Sequence, residues 1–256
     1  LFKEEKEMLL RVLGTRSPYA TKGKAGVGFL ATINNKHVLL DCGAGTDANM
    51  SLPNELENLF VFISHLHADH YAGISSIQYA SYCFHNLGRL KDKVQIYLPI
   101  FPTRDNDYIS RQEISFCECH DIMPGCVLKN DDFGIYAGRV IHGKIPAYMF
   151  RLTSSRTSIV YTGDMSYASH DDVVEFAKNS DVLIAEASFL SKDVREGNKD
   201  NHLTASQAAT IAKDANVRLL LLSHIWPEYS EADILSEARS VFKETYIPHD
   251  GLTYVL

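Results

Sequence analysis

Short apolar runs, four to seven residues long and bounded by turn residues, recur along the whole chain. Runs of that length with no helical spacing suit strands buried on both faces. The pattern predicts strands at Leu9–Leu13, Val27–Ile33, His37–Asp41, Leu59–Ser64, Val94–Leu98, Arg139–His142, Ala147–Leu152, Ser158–Thr162, Asp181–Glu186, Arg218–Ser223 and Thr253–Leu256. Between them, a helical spacing of apolar positions predicts helices at Gly73–Phe84, Asp171–Lys178, Thr204–Asp214 and Ala232–Glu244. Thr204-Ala205-Ser206-Gln207 has the form of a capping box, and Asn130-Asp131-Asp132-Phe133-Gly134 reads as a turn. Strands outnumber helices, so the expectation is one α/β domain over residues 1–256 with two sheets flanked by helices. No linker, low-complexity segment or internal repeat interrupts it.

Composition narrows the class. The chain has 256 residues, 45% of them hydrophobic and 22% charged, which is ordinary for a soluble globular protein. No apolar stretch approaches the roughly 20 residues of a membrane helix. The mixed charges of Leu1–Lys6 and the short apolar stretch after them do not resemble a signal peptide. Leu1 is not an initiator, and Met8 is an alternative start. Five cysteines, an odd number, are expected as free thiols in a reducing cytoplasm. Cys117-Glu118-Cys119-His120 has half the ligands of a structural zinc site but no second pair at workable spacing. The formal net charge is −7 and no basic stripe is present, which disfavours a grip on long nucleic acid but not a small anionic substrate.

The chemistry concentrates in Ser64-His65-Leu66-His67-Ala68-Asp69-His70, directly after an apolar strand. In an extended segment, residues two apart face the same side, so His65 and His67 can address one point. The turn into the next helix lets Asp69 and His70 address a neighbouring one. Imidazole and carboxylate donors at this density suit zinc or manganese. A polar loop rich in histidine by chance is the bland alternative, and the strand-end clustering counts against it. Three further candidates stand at strand ends: His142, Asp164 and His224. Each alone would be weak, since an Asp after Gly163 is ordinary turn chemistry.

In order and spacing, His65-x-His67-x-Asp69-His70, His142, Gly163-Asp164 and Ser223-His224 resemble the metallo-β-lactamase superfamily, and the resemblance runs from near Gly14 to the C-terminus. Leu40–Thr46, His142–Tyr148, Ala185–Phe189 and His202–Ala205 resemble its ribonuclease Z-like branch. The resemblance implies an αββα four-layer sandwich. It implies one metal on His65, His67 and His142, a second on Asp69, His70 and His224, and Asp164 bridging both. Two divalent ions, zinc first and manganese second, at about 3.5–4 Å separation would lower the pKa of a shared water. Asp69 would orient the resulting hydroxide.

His202 lies just ahead of the Thr204 cap, where backbone amides and the helix dipole favour anions. Paired with Glu186, it would contact a phosphate and protonate a leaving oxygen. The bland readings are a surface loop His and a strand-end carboxylate in an ordinary salt bridge. His37, His85, His120, His170 and His249 match no ligand position. Trp226 is more readily a core or surface aromatic than a pocket wall.

Ribonuclease Z proper carries a tRNA-clasping arm between the third-ligand His and the bridging Asp. Here His142 and Asp164 are separated by two predicted strands and a turn, with no room for an arm. The expected function is therefore a cytoplasmic phosphodiesterase-type hydrolase of a small or medium anionic ester. The alternatives are tRNA 3′-end cleavage, lactone or thioester hydrolysis, and a non-catalytic metal-binding sensor. Nucleic acid is a disfavoured partner, a membrane is not expected, and a homodimer is left open.

Overall fold

A computed structural model describes residues 7–100, 109, 115–196 and 200–256. Leu1–Lys6, read above for a signal peptide, lie outside them. Fourteen strands form two seven-stranded sheets among the described residues. In the first sheet the order is β14 (Thr253–Val255), β1 (Met8–Gly14), β2 (Gly28–Ile33), β3 (Lys36–Leu40), β4 (Leu59–Phe62), β5 (Val94–Pro99), β6 (Cys117–Ile122). In the second it is β13 (Thr245–Tyr246), β12 (Leu219–Ser223), β11 (Val182–Glu186), β10 (Ser158–Tyr161), β9 (Ile145–Thr153), β8 (Gly134–His142), β7 (Gly125–Lys129). Each sheet pairs its strands antiparallel on one side and parallel on the other, with β3 and β10 at the change.

Helices cover both outer faces, giving the αββα sandwich expected from the motif order. The helices are α1 (Ala68–Tyr71), α2 (Ile74–Asn86), α3 (His170–Ala177), α4 (Ala205–Asp214) and α5 (Glu231–Arg239). Strand alternation explains the layering. In β4, Leu59 and Val61 point under α2 with Ile74 and Ile77, while Phe62 points between the sheets. In β11 and β12, Leu183, Ala185, Leu220 and Leu222 pack beneath α3, α4 and α5, whereas Ile184 and Leu221 face the opposite sheet. Both faces are therefore buried, and the sequence reads as continuous apolar runs. Each Leu, Ile, Val or Phe side chain so removed from water is worth about 1.5–3 kcal/mol.

Several boundaries differ from the sequence reading, each for a local reason. Strands β6 and β7 were not expected. They close the open edges of the sheets, and β7 buries no residue, so no apolar run marks them. The two-residue β13 is equally short of signal. β8 begins at Gly134 rather than Arg139. The last helix stops at Arg239 instead of Glu244, because Arg239 Nε donates to the Thr245 carbonyl (2.8 Å) as the chain turns into β13. Helix α1 is separated from α2 at Gly73, which packs on the Cys42 loop; a Cβ there would lie 2.8 Å from the Gly43 oxygen. The turn at Asn130 holds, since its Oδ1 accepts from the amides of Asp132 and Phe133.

The capping box at Thr204 is present in full. Thr204→Ala should lower stability by about 0.5–2 kcal/mol, read as a shifted urea midpoint with unchanged slope. An unchanged midpoint would mean that the cap contributes nothing to α4. All five cysteines are free thiols. No helix among the described residues is long and apolar enough to cross a membrane.

Candidate metal centre

The functional side chains converge at one edge of the sandwich, where strands end. Asp41 follows β3, His65 and His67 follow β4, His142 ends β8, Asp164 follows β10, Glu186 ends β11 and His224 follows β12. Asp69 and His70 are carried by α1. The Asp164 turn needs Gly163, whose φ is +59° and whose Cβ would lie 2.7 Å from that of Ser64. All seven expected ligands come together.

One donor set is His65 Nε2, His67 Nδ1 and His142 Nε2, with 3.1 Å from His67 to each of the other two. The other is Asp69, His70 and His224, with His70 Nε2 and His224 Nε2 at 3.8 and 3.5 Å from Asp69 Oδ2. Asp164 Oδ2 stands between the sets, 3.7 Å from His65 Nε2, 3.9 Å from His142 Nε2, 3.3 Å from His70 Nε2 and 3.0 Å from His224 Nε2. A zinc ion with tetrahedral ligands at 2.0–2.1 Å separates those ligands by about 3.3–3.4 Å. The observed spacings bracket that value.

Hydrogen bonds on the outer ring atoms fix which nitrogen faces inward. Asp41 is the anchor of the first group. It accepts from Ser64 N (2.6 Å), Ser64 Oγ (2.7 Å), Tyr161 OH (2.5 Å) and His70 Nδ1 (2.7 Å). With its proton given to Asp41, Ser64 Oγ accepts from His65 Nδ1 (3.0 Å). His142 Nδ1 donates to the Asn201 carbonyl (2.8 Å) and His224 Nδ1 to Ser188 Oγ (2.7 Å). In each neutral ring the lone pair is thus on Nε2, aimed into the cluster. Asp69 Oδ2 is held by the Ser17 hydroxyl. His70 Nε2, His224 Nε2 and Asp164 Oδ1 are buried without a hydrogen-bond partner. Inward lone pairs and buried donor atoms with no hydrogen-bond partner suit a cation site. The residues fit a metal centre.

Charge is divided across the cluster. Burial, reinforced by neighbouring histidines, holds His65 well below the usual imidazole range, and His67 and His142 are lowered mainly by burial. For His224, burial acts downward, but Asp164 and Asp69 outweigh it and lift the ring to about 10. His70 is likewise raised, by Asp164 and Asp41 against burial. Burial would raise Asp69 and Asp164; their histidine partners keep both carboxyls well below the usual range instead. The carboxylates around His70 and His224 thus favour the charged form of each ring, and bound cations would displace those protons.

His202 sits 18% exposed at the rim, its Nδ1 donating to Glu186 Oε2 at 2.9 Å. Its pKa is raised: burial opposes the charge, and Glu186 and Asp164 outweigh burial. The spacing of Asp164, Glu186, His202 and His224 would admit a cation. Glu186 is nevertheless committed elsewhere, to His202, to Ser188 (2.6 Å) and to the Met165 amide (2.6 Å). One expectation is corrected. The α4 N-terminus offers no free amides to an anion, because Thr204 N donates to Gln207 Oε1, Ala205 N to the Phe189 carbonyl, Ser206 N to Glu237 Oε1 and Gln207 N to Thr204 Oγ1. Only the helix dipole remains there.

The sequence reading assigned no role to Asp41, Ser17, Ser64, Tyr161 or Ser188. Asp41 ends a strand as Asp164 does, and the same rule would have found it. The hydroxyls carry no such signal. Other histidines serve locally: His85 stacks on Phe116, His120 on Tyr97, and His170 pairs with Asp171 and Asp214. Trp226 is half-buried and packs edge-on against Phe189 at 4.8 Å, itself edge-on to His202. Cys117 and Cys119 lie on β6 and join no cation-binding group among the described residues.

A family model described as a β-lactamase superfamily domain matches residues 36–225. The chain belongs to the β-lactamase superfamily. This superfamily member is 30% identical over 254 residues to the probable metallo-hydrolase YhfI of Bacillus subtilis, covering 96% of this chain and 99% of that protein. It is 27% identical to a ribonuclease Z from Nostoc, covering 96% of this chain and 94% of that one. The latter alignment spans 315 positions against a chain of 256 residues, so that ribonuclease Z carries insertions absent here. The crystal structure of the metallo-β-lactamase fold protein YhfI superposes with a TM-score of 0.86 at 25% identity, covering 98% of this chain and 100% of that one. With these relatives and a His/Asp cluster able to hold metal ions, the superfamily member is a metal-dependent hydrolase.

Proposed function

We propose that the chain is a phosphodiesterase that hydrolyses small or medium anionic esters with two divalent ions, zinc first and manganese second. The observation that carries this reading is the His202–Glu186 pair beside Asp164, an imidazole held by a carboxylate at the rim of the donor cluster. His65, His67 and His142 would hold one ion, Asp69, His70 and His224 the other, and Asp164 both. Bound there, such ions would lower the pKa of a coordinated water and neutralise charge on a phosphoryl group.

The protein's own groups do the rest. Ser17 fixes Asp69, whose carboxylate then orients the attacking water. Glu186 accepts a hydrogen bond from His202 Nδ1–H, which leaves the Nε2 proton as the one passed to the departing alkoxide. That need is strongest for a poor leaving group.

A tRNA 3′-end endonuclease is the second reading, favoured by the ribonuclease Z relatives. Against it stands the segment between His142 and Asp164, which consists of β9 and β10 joined by turns, with no projecting arm. A net charge of −7 also supplies few phosphate contacts, and such contacts dominate binding to long nucleic acid.

A substrate panel separates these readings: bis(p-nitrophenyl) phosphate, a cyclic nucleotide, precursor tRNA, a lactone and a thioester, with metal content measured on the same sample. The expected result is phosphodiester turnover with weak or absent tRNA processing. Accurate, efficient 3′-end cleavage at physiological salt would overturn the small-ester reading. Lactone or thioester turnover without phosphodiester turnover would overturn it as well.

A further inference from the structure

His70 and His224 play parallel parts in the second donor set, yet their outer nitrogens are held differently. His70 Nδ1 meets a carboxylate directly, Asp41 at 2.7 Å. Between His224 Nδ1 and the Glu186 carboxylate, a serine intervenes. Ser188 Oγ lies 2.7 Å from His224 Nδ1 and 2.6 Å from Glu186 Oε2, and Ser188 is fully buried. A carboxylate only accepts, so the Ser188 hydroxyl donates to Glu186 and its oxygen accepts the His224 Nδ1 proton. The same Glu186 Oε2 takes the Nδ1 proton of His202 at 2.9 Å. Its other oxygen takes the Met165 amide, next to Asp164.

We infer that Ser188 is a positioning residue that fixes the inward lone pair of His224 and, through one shared carboxylate oxygen, ties that ring to His202. This inference rests on the ligand and acid roles proposed above. The geometry gives the reason for a serine here. His202 already occupies Glu186 Oε2, and its ring stacks on His224 with centroids 5.1 Å apart and planes 25° from parallel. The intervening hydroxyl lets one carboxylate serve both rings. Without it, the His224 Nδ1 proton loses its acceptor in a buried setting. The ring is then free to move its proton to Nε2 or to turn, and either change removes the ligating lone pair. A merely space-filling serine would affect stability and leave metal affinity alone.

The test is zinc titration of metal-free protein against a chromophoric chelator, on the parent, Ser188→Ala, Ser188→Thr and His202→Ala. Ser188→Ala should weaken one of the two equivalents by about 10–100-fold, the usual cost of losing such a partner. Ser188→Thr keeps the hydroxyl and should restore parent-like affinity; His202→Ala should leave affinity unchanged. Parent-like affinity in Ser188→Ala would overturn the inference. A parent that binds no metal would overturn the metal reading itself, a distinguishable outcome, and the substrate panel tests the ester reading separately. If the Ser188 variants do not fold, side-chain ¹⁵N NMR of the zinc-loaded parent decides. A slowly exchanging His224 proton on Nδ1 is expected, and a proton on Nε2 or a rapidly exchanging one contradicts the inference.

Discussion

Asp164→Ala is expected to lose metal and turnover together, and to lose more turnover than any single histidine ligand change. Its Oδ2 is within 3.0–3.9 Å of four imidazole nitrogens drawn from both donor sets. Among the described residues no other side chain has that position. Removing a group that merely supports a ligand costs about 10–100-fold in affinity or activity. Loss of a carboxylate shared by both ions should exceed that, at more than about 10²-fold in turnover, with metal content below that of each histidine variant. The variant also leaves His70 and His224 without their main counter-charge, so a folded fraction must be verified by circular dichroism. A folded Asp164→Ala protein that keeps both metals and near-parent rates would show that Asp164 does not bridge.

His202→Ala should leave both metals bound and lower turnover by about 10²–10⁴-fold on esters with poor leaving groups. The loss should shrink on activated esters, because p-nitrophenolate departs with little need of a proton. Glu186→Gln should give a weaker version of the same pattern in turnover, since Glu186 acts through the ring. The measurement is kcat on an alkyl and a p-nitrophenyl phosphodiester, with metal content determined alongside. Equal losses on both esters, with metals intact, would reduce His202 to a binding role. Loss of metal would make it a ligand. Little change on either ester would leave it a rim histidine.

Much of this site was legible because its donors are chemically rare and sit where apolar strands end. His65, His67, Asp69 and His70 stand within six residues, and His142, Asp164 and His224 each follow or close a strand. The buried strands were legible for the same reason: both faces need apolar side chains, so β4 and β12 are unbroken runs. β6 and β7 are half-exposed edges with mixed composition, and no pattern separates them from loops. The supporting shell was hidden in another way. Ser17, Ser64 and Ser188 are ordinary residues until the fold places Asp69, His65 and His224 against them. The helix N-terminus at α4 shows the converse. Its cap, Gln207 included, was legible, but the use of the Ala205 and Ser206 amides by Phe189 and Glu237 depends on contacts that the local sequence does not contain.

The central claim is a pair of metal ions held by Asp164 and the six side chains around it. Elemental analysis of protein purified without chelator, then again after reconstitution with zinc and with manganese, tests it most directly. Two equivalents per chain after reconstitution is the expected result, with clearly more than one as purified. A stoichiometry that stays at zero after reconstitution would contradict it.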